Sequence, residues 1–365
     1  MNNMRIVQLL PELNTGGVER GAVDLSAELI KQGHKSYIIS NGGLFEQEVI
    51  NHGGKHIKLP IHKKSISTLF LANKLYETYT KINPDIIHVR SRVPALVNLL
   101  AFRKFTQKRP LLVSTFHGLY SKPFYSQVMA KVDHTIAISS CVKSYIQENY
   151  KIHDSNITLI HRGCDTRKFN NDPLELSWKS NFLNKFPNAI NKKILVLPGR
   201  ITRWKGAESF INLLKRLDDS FHGFIVGPSA KNKEGYLKEL KDKISKNRLN
   251  SKVTFTGGVS DIQNIYKLAD IVYNLSAKPE PFGRTTIEAI SCGAKVMGWD
   301  HGGTSEILNK LYKQGLVELN NDNDLFQKTI DISISNNYPE KNIYDSQKML
   351  SDKINLYLSL LKTRS

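Results

Sequence analysis

The stretch KILVLPGRITRWKG, residues 193–206, sets the fold class. Lys193–Leu197 is an apolar run of strand length. Gly199 then breaks it, two cations stand five apart at Arg200 and Lys205, and Gly206 opens a helical stretch, Ala207–Leu217. Strand, glycine turn, helix is the repeating unit of a parallel sheet, because parallel strands need a long crossover. The unit recurs downstream. Gly223–Val226, Val253–Thr256, Ile271–Tyr273 and Ala294–Met297 read as strands, and Tyr236–Lys246, Gln263–Ala269 and Thr286–Ser291 as helices between them. An earlier series lies upstream: Arg5–Leu10, Ser36–Ser40, Asp85–Val89, Leu111–Phe116 and His134–Ile138, with Leu25, Leu29 and Ile30 at helical spacing after the first. The class is α/β, with two doubly wound parallel-sheet domains.

The length of 365 residues suits two domains of roughly 100–200 residues. Strand pattern lapses over Asn170–Pro187, where Asn, Asp, Ser and two prolines collect, so the expected division is 1–172 and 173–339. Asp345–Lys362 is helical by its apolar spacing and lacks a following strand, so it should pack across existing surface. A composition of 40% hydrophobic and 23% charged residues excludes collagen-like, coiled-coil and wholly disordered chains. Cys141, Cys164 and Cys292 form no CxxC or zinc spacing, which fits a reducing compartment and no metal centre. No apolar run approaches the roughly 18 residues of a spanning helix and no leader pattern is visible, so a soluble cytoplasmic protein is expected.

Fifty-two Lys and Arg against 33 Asp and Glu give a net charge of +19. Such a balance favours nucleic acid, phosphorylated ligands or an anionic membrane surface. A Lys-, Asn- and Ile-rich composition produces the same balance with no partner. The excess of the first half sits in residues 55–109, where twelve Lys and Arg face only Glu77 and Asp85. Lys63, Lys64, Lys104 and Lys108 represent this segment as an electrostatic dock for anionic lipid; the alternative is a solvated face. No nucleic-acid-binding signature occurs, which argues against that partner.

Four loops carry chemistry. Gly16-Gly17-Val18-Glu19-Arg20 lies between the first strand and its helix, where glycines admit a close ligand and open amides meet an anion. Its spacing is not GxGxxG. Arg200 and Lys205 stand where ligands bind in open α/β sheets, and a planar fork with a point charge can clamp a diphosphate. Glu280-Pro281-Phe282-Gly283-Arg284-Thr285-Thr286-Ile287-Glu288 sets one carboxylate at a helix mouth and another about a turn inside. Amides of 283–286 can meet a phosphate or sugar hydroxyl, and a carboxylate can accept a ribose diol. Gly302-Gly303-Thr304-Ser305-Glu306 is a further glycine turn opening a helix. His117 follows the strand Leu111–Phe116, and Asp165 precedes the domain boundary.

In chain order, GGVER, FHG (116–118), AISS (137–140), RGCD (162–165), GRITRWKG, EPFG…E and GGTSE resemble the retaining GT4 glycosyltransferase family over nearly the whole chain. The resemblance implies a GT-B fold: two Rossmann-like domains facing across a cleft, the first binding acceptor and the second a nucleotide sugar. It also implies that 340–365 crosses back to the first domain. Arg200 and Lys205 would bind the donor diphosphate and offset leaving-group charge, so no metal or other cofactor is required. Glu288 would hold the ribose. Phe282, Gly283, Arg284 and Thr285 would present donor-binding groups, the first three through their amides, and Gly16 and Gly17 would approach the phosphates. His117 and Glu280 would contact the transferred sugar and are the catalytic candidates. The donor phosphate, rather than a protein base, would take the acceptor's proton. The implied donor is a nucleotide diphosphate sugar, a UDP-sugar first. The implied acceptor is a glycolipid or lipid-linked glycan of lipopolysaccharide type, at the cytosolic face of the inner membrane. Two departures stand out: Arg162 where the family carries Asn before glycine, and the bulky Gly298-Trp299-Asp300-His301. The alternatives are a sugar-nucleotide 2-epimerase of the same fold and a non-catalytic anionic-membrane binding module.

Overall fold

The computed structural model describes residues 3–14, 16–106, 109–120, 123–229 and 234–364. The chain divides into two compact units, Met1–His161 with Gln347–Ser365, and Arg162–Ser346.

The first unit is built on a seven-stranded sheet: β1 Arg5–Leu9, β2 Lys35–Ser40, β3 Lys55–Lys58, β4 Ile86–Val89, β5 Leu111–Phe116, β6 His134–Ala137 and β7 Ile157–Leu159. Their order is β3-β2-β1-β4-β5-β6-β7, all parallel. Sequence order reverses between β1 and β4. The central strands β1, β4 and β5 are almost wholly buried, which explains their continuous apolar runs. β3 (KHIK) is a polar edge strand, and its charged ends hide it from a hydrophobicity reading. The last helix, Ser346–Lys362, seats Met349, Leu350, Ile354 and Tyr357 in the cluster formed by Ile6, Ile86, Val113 and Ile136. Tyr357 Oη lies 2.7 Å from His88 Nδ1. The helix without a following strand thus completes the first unit's core.

The second unit holds β8 Lys193–Pro198, β9 Phe221–Val226, β10 Val253–Gly257, β11 Ile271–Asn274, β12 Lys295–Trp299 and β13 Leu316–Val317. Their order is β10-β9-β8-β11-β12-β13, again parallel, with the reversal between β8 and β11. The units divide at His161/Arg162 and Ser346/Gln347, where the sequence reading placed 172/173 and 339/340. Two local features account for the difference. Cys164 pairs with Asp345, and Cys164 N–H donates to Tyr344 O at 3.0 Å, which ties the RGCD segment to the chain that precedes the last helix. The polar stretch 170–187 also contains a helix, Leu176–Lys185. Trp178 stacks on Phe182 at 4.9 Å, and Phe182 and Phe186 reach Phe224 of β9 at 5.3 and 5.4 Å. Aromatics one turn apart anchor a segment whose composition reads as linker.

Candidate functional site at the carboxyl edge of the second sheet

The loops after β8, β9, β11 and β12 leave the same edge of the second sheet. Strand order reverses there between β8 and β11, and in open α/β sheets the carboxyl ends of strands at such a reversal are where ligands bind. Lys205, after β8, forms an ion pair with Glu280, after β11, so the pair spans the reversal. Both side chains are largely withdrawn from solvent, at 19% and 13% exposure. Ser276 Oγ donates to the same Glu280 oxygen at 2.6 Å, and His301 Nε2 donates to Ser276 O at 2.7 Å. Lys205 also lies over the Trp204 ring at 4.5 Å.

Two glycines let these loops meet. Gly206 has φ +82°, and a Cβ there would stand 2.1 Å from Leu275 O. Ala277 N–H donates to Trp204 O at 2.8 Å, so the Lys205 and Glu280 loops run in contact. A Cβ at Gly303 would stand 2.4 Å from Phe282 Cα, and Gly303 N–H donates to Glu280 O at 2.7 Å. The helix Gly302–Leu311 therefore begins directly against Glu280–Phe282. The helix Arg284–Ser291 begins at the same place, with Gly283 as its cap at φ +90°. Two helix starts thus converge beside the Lys205–Glu280 pair, and first-turn amides have no intrahelical acceptor.

The remaining expected donor residues sit as follows. Arg200 is exposed and forms no ion pair with any described residue. Arg203, between the two expected cations, is committed to Glu239 at 2.8 Å and to the Tyr236 ring at 4.6 Å. Phe282 is buried edge-to-face against Tyr344 at 5.5 Å, so only its backbone can reach a ligand. Thr285 is half-buried in the first turn after Gly283. Glu288 is 7% exposed and accepts from Arg284 Nη2 at 2.8 Å. Burial pushes the Glu288 carboxyl above its ordinary value; Arg284, Lys168 and Arg162 oppose this in part. Arg162, the departure from the family's Asn, thus belongs to the cationic surroundings of Glu288.

The direction of that shift has a stability consequence. A carboxyl raised in the fold contributes most below its unfolded pKa, and the contribution is lost as pH rises through the folded pKa. Glu288→Gln is therefore expected to raise Tm at pH 7 by about 2 °C and to flatten this loss. A lower Tm at pH 7 in a thermal scan would show that the Arg284 pair outweighs burial.

In the first unit, Gly16 and Gly17 lead into the helix Gly17–Lys31, where Arg20 N–H donates to Gly16 O at 3.0 Å. Arg20 of GGVER is structural: it grips Glu48 at 2.6 and 2.9 Å and Asp24 at 2.8 Å. His117 stands at the end of β5, its N–H donating to Tyr120 Oη at 3.4 Å. Gly16, Gly17 and His117 share the carboxyl edge of their sheet. Lys63 and Lys64 leave that same edge after β3. Lys104 does not: it follows the helix Arg92–Phe102 and precedes β5, at the opposite edge. Lys108 lies outside the described residues. Among the described residues no cluster of three or more His, Cys, Asp or Glu has metal-ligating geometry, and no helix is long and apolar enough to cross a membrane.

Sequence reading missed Ser276 and the role of His301. Ser276 lies four residues before Glu280 in a loop, a spacing without meaning until the turn geometry is known.

The model of Glycosyltransferase Family 4 matches residues 15–168, and that of Glycosyl transferases group 1 matches 180–351. A solved glycosyltransferase from Rickettsia africae is 30% identical, covers 99% of this chain and 100% of its own, and superposes with a TM-score of 0.86. Anabaena HepE, solved in complex with UDP, shares the fold at 21% identity and a TM-score of 0.78, over 98% of this chain and 100% of that one. The lipopolysaccharide core biosynthesis mannosyltransferase LpsB of Rhizobium meliloti is 25% identical over 50% of this chain and 49% of its own. With both halves matched in chain order and the Rickettsia structure alike over its whole length, the chain belongs to glycosyltransferase family 4, has the GT-B fold and is a hexosyltransferase.

Proposed function

We propose that the chain moves a hexose from a nucleotide diphosphate sugar to a glycolipid or lipid-linked glycan, with retention and without a metal. The observation that carries this reading is the Lys205–Glu280 pair across the β8/β11 reversal, flanked by two helix starts. In the reading, the diphosphate takes Lys205 and Arg200, and Glu280 turns to the sugar hydroxyls. Glu288 holds the ribose, and the amides of 282–284, with Thr285, line the phosphate and sugar. The acceptor hydroxyl attacks the anomeric carbon on the face from which the diphosphate leaves. The leaving phosphate oxygen takes the proton, and the two cations offset its charge. From the first unit, Gly16 and Gly17 belong to the reading as phosphate contacts and His117 as a sugar contact. The UDP complex of Anabaena HepE supports a UDP-sugar, and the Rhizobium relative supports a lipopolysaccharide-type acceptor. The setting is the cytosolic face of the inner membrane, with the protein peripheral.

The test is hydrolysis of a panel of nucleotide sugars with EDTA present, followed by addition of glycolipid acceptors. Slow release of one nucleotide, accelerated by an acceptor, is expected. Turnover that requires a restored divalent metal, or interconversion of nucleotide sugars without acceptor, would contradict the reading.

A further inference from the structure

The segment 59–82 has two faces that do different work. Its helices, Ile66–Leu69 and Leu71–Ile82, are joined by Phe70 in helical conformation. Thr68, Ala72, Leu75 and Tyr79, spaced four, three and four apart, are buried, and Tyr79 Oη donates to Asn98 Oδ1 at 2.6 Å. That inner face accounts for the segment's place in the fold. Ile66 and Phe70 lie on the other side, 77% and 76% exposed. They are one turn apart, and exposed Lys63, Lys64 and Lys74 flank them. Glu77 is the only acid between residues 59 and 82. Nothing in the core needs two large apolar side chains there, and apolar groups framed by lysines suit the boundary between headgroups and acyl chains.

We propose that Ile66 and Phe70 insert into an anionic bilayer while Lys63, Lys64 and Lys74 hold its headgroups. This rests on the reading of a membrane-borne acceptor and narrows it to one face of the first unit. Charge decides the occupant. A second copy meeting this patch symmetrically would bring the lysines against each other. A nucleic acid would take the lysines and leave Ile66 and Phe70 wet. The three arginines at positions 90, 92 and 109 of the basic segment are otherwise engaged. Arg90 is buried, and its Nη1 donates to Gln8 Oε1 at 2.9 Å. Arg92 lies against the Tyr120 ring at 4.8 Å, and Arg109 is paired bidentately with Asp133 at 2.7 Å. The patch leaves β3 at the sheet edge that also carries Gly16, Gly17 and His117, so docking brings that edge to the bilayer surface.

Sedimentation with vesicles of phosphatidylcholine, with and without 30% phosphatidylglycerol (about one lipid in three anionic), tests the proposal. Wild type is expected to bind only the anionic vesicles. Ile66→Ser with Phe70→Ser, and Lys63→Glu with Lys64→Glu, should each lower affinity at least about tenfold. Lys104→Glu, at the opposite edge, should leave binding unchanged. Vesicle binding equal to wild type in the Ile66/Phe70 variant, or an equal loss in Lys104→Glu, overturns it. So does a wild-type dimer by light scattering that this variant makes monomeric, since the occupant is then a second copy. UDP titration separates the two readings. Vesicle binding without UDP binding leaves the dock standing and sinks the donor site; the reverse sinks only the dock.

Discussion

Lys205→Ala is expected to lower donor turnover about a hundred- to a thousand-fold, the loss that follows removal of one preorganised electrostatic group from a developing charge. The expectation comes from position. Lys205 follows β8, its partner Glu280 follows β11, and these strands adjoin where the sheet's order reverses. In the proposed reaction a cation there meets the leaving diphosphate directly. Arg200 is exposed and carries no ion pair to a described residue, so it cannot take over a position held by the Trp204 and Gly206 turn. Lys205→Arg should restore only part of the rate, because a planar fork does not occupy the place of a compact ammonium. Single-turnover kinetics with the donor from the hydrolysis panel measures this. A loss below about threefold would place the diphosphate elsewhere.

Glu280→Gln should separate two quantities that usually fall together. Glu280 neutralises Lys205 and accepts from Ser276. In the proposed reading a diphosphate displaces that carboxylate, and only a donor with its sugar offers the carboxylate new hydroxyl partners. The pair thus competes with bare nucleoside diphosphate more than with the nucleotide sugar, which favours product release. Without the negative charge, free UDP should bind about tenfold more tightly, roughly 1.4 kcal/mol, while transfer falls about a hundredfold. Calorimetry and initial rates on the same preparation read both effects. UDP affinity that falls with transfer would mean that Glu280 and Lys205 hold the diphosphate jointly.

Much of the fold was legible because the central strands are buried on both faces and therefore read as continuous apolar runs. Lys193–Leu197 and Leu111–Phe116 are such runs. β3 was not legible, because an edge strand need not be apolar and KHIK carries lysine at both ends. Nor was the helix Leu176–Lys185, whose Trp178 and Phe182 answer to Phe224 in a distant strand. The loops that carry the site could be placed at strand ends from sequence. Which loops touch could not, since Lys205 and Glu280 lie 75 residues apart and meet only through the order β8-β11. The same limit applies to the basic segment. Lys63 and Lys104 belong to the same basic segment, yet the helix Arg92–Phe102 carries the chain back across the sheet and leaves them at opposite edges.

In the proposed reading a nucleoside diphosphate binds at Lys205 with its ribose on Glu288. Calorimetric titration of UDP in EDTA into wild type, Lys205→Ala and Glu288→Ala tests it most directly. Binding by wild type that is lost in both variants, with their Tm within a few degrees of wild type, is the predicted result. Equal binding by all three proteins would place the nucleotide away from Lys205 and Glu288.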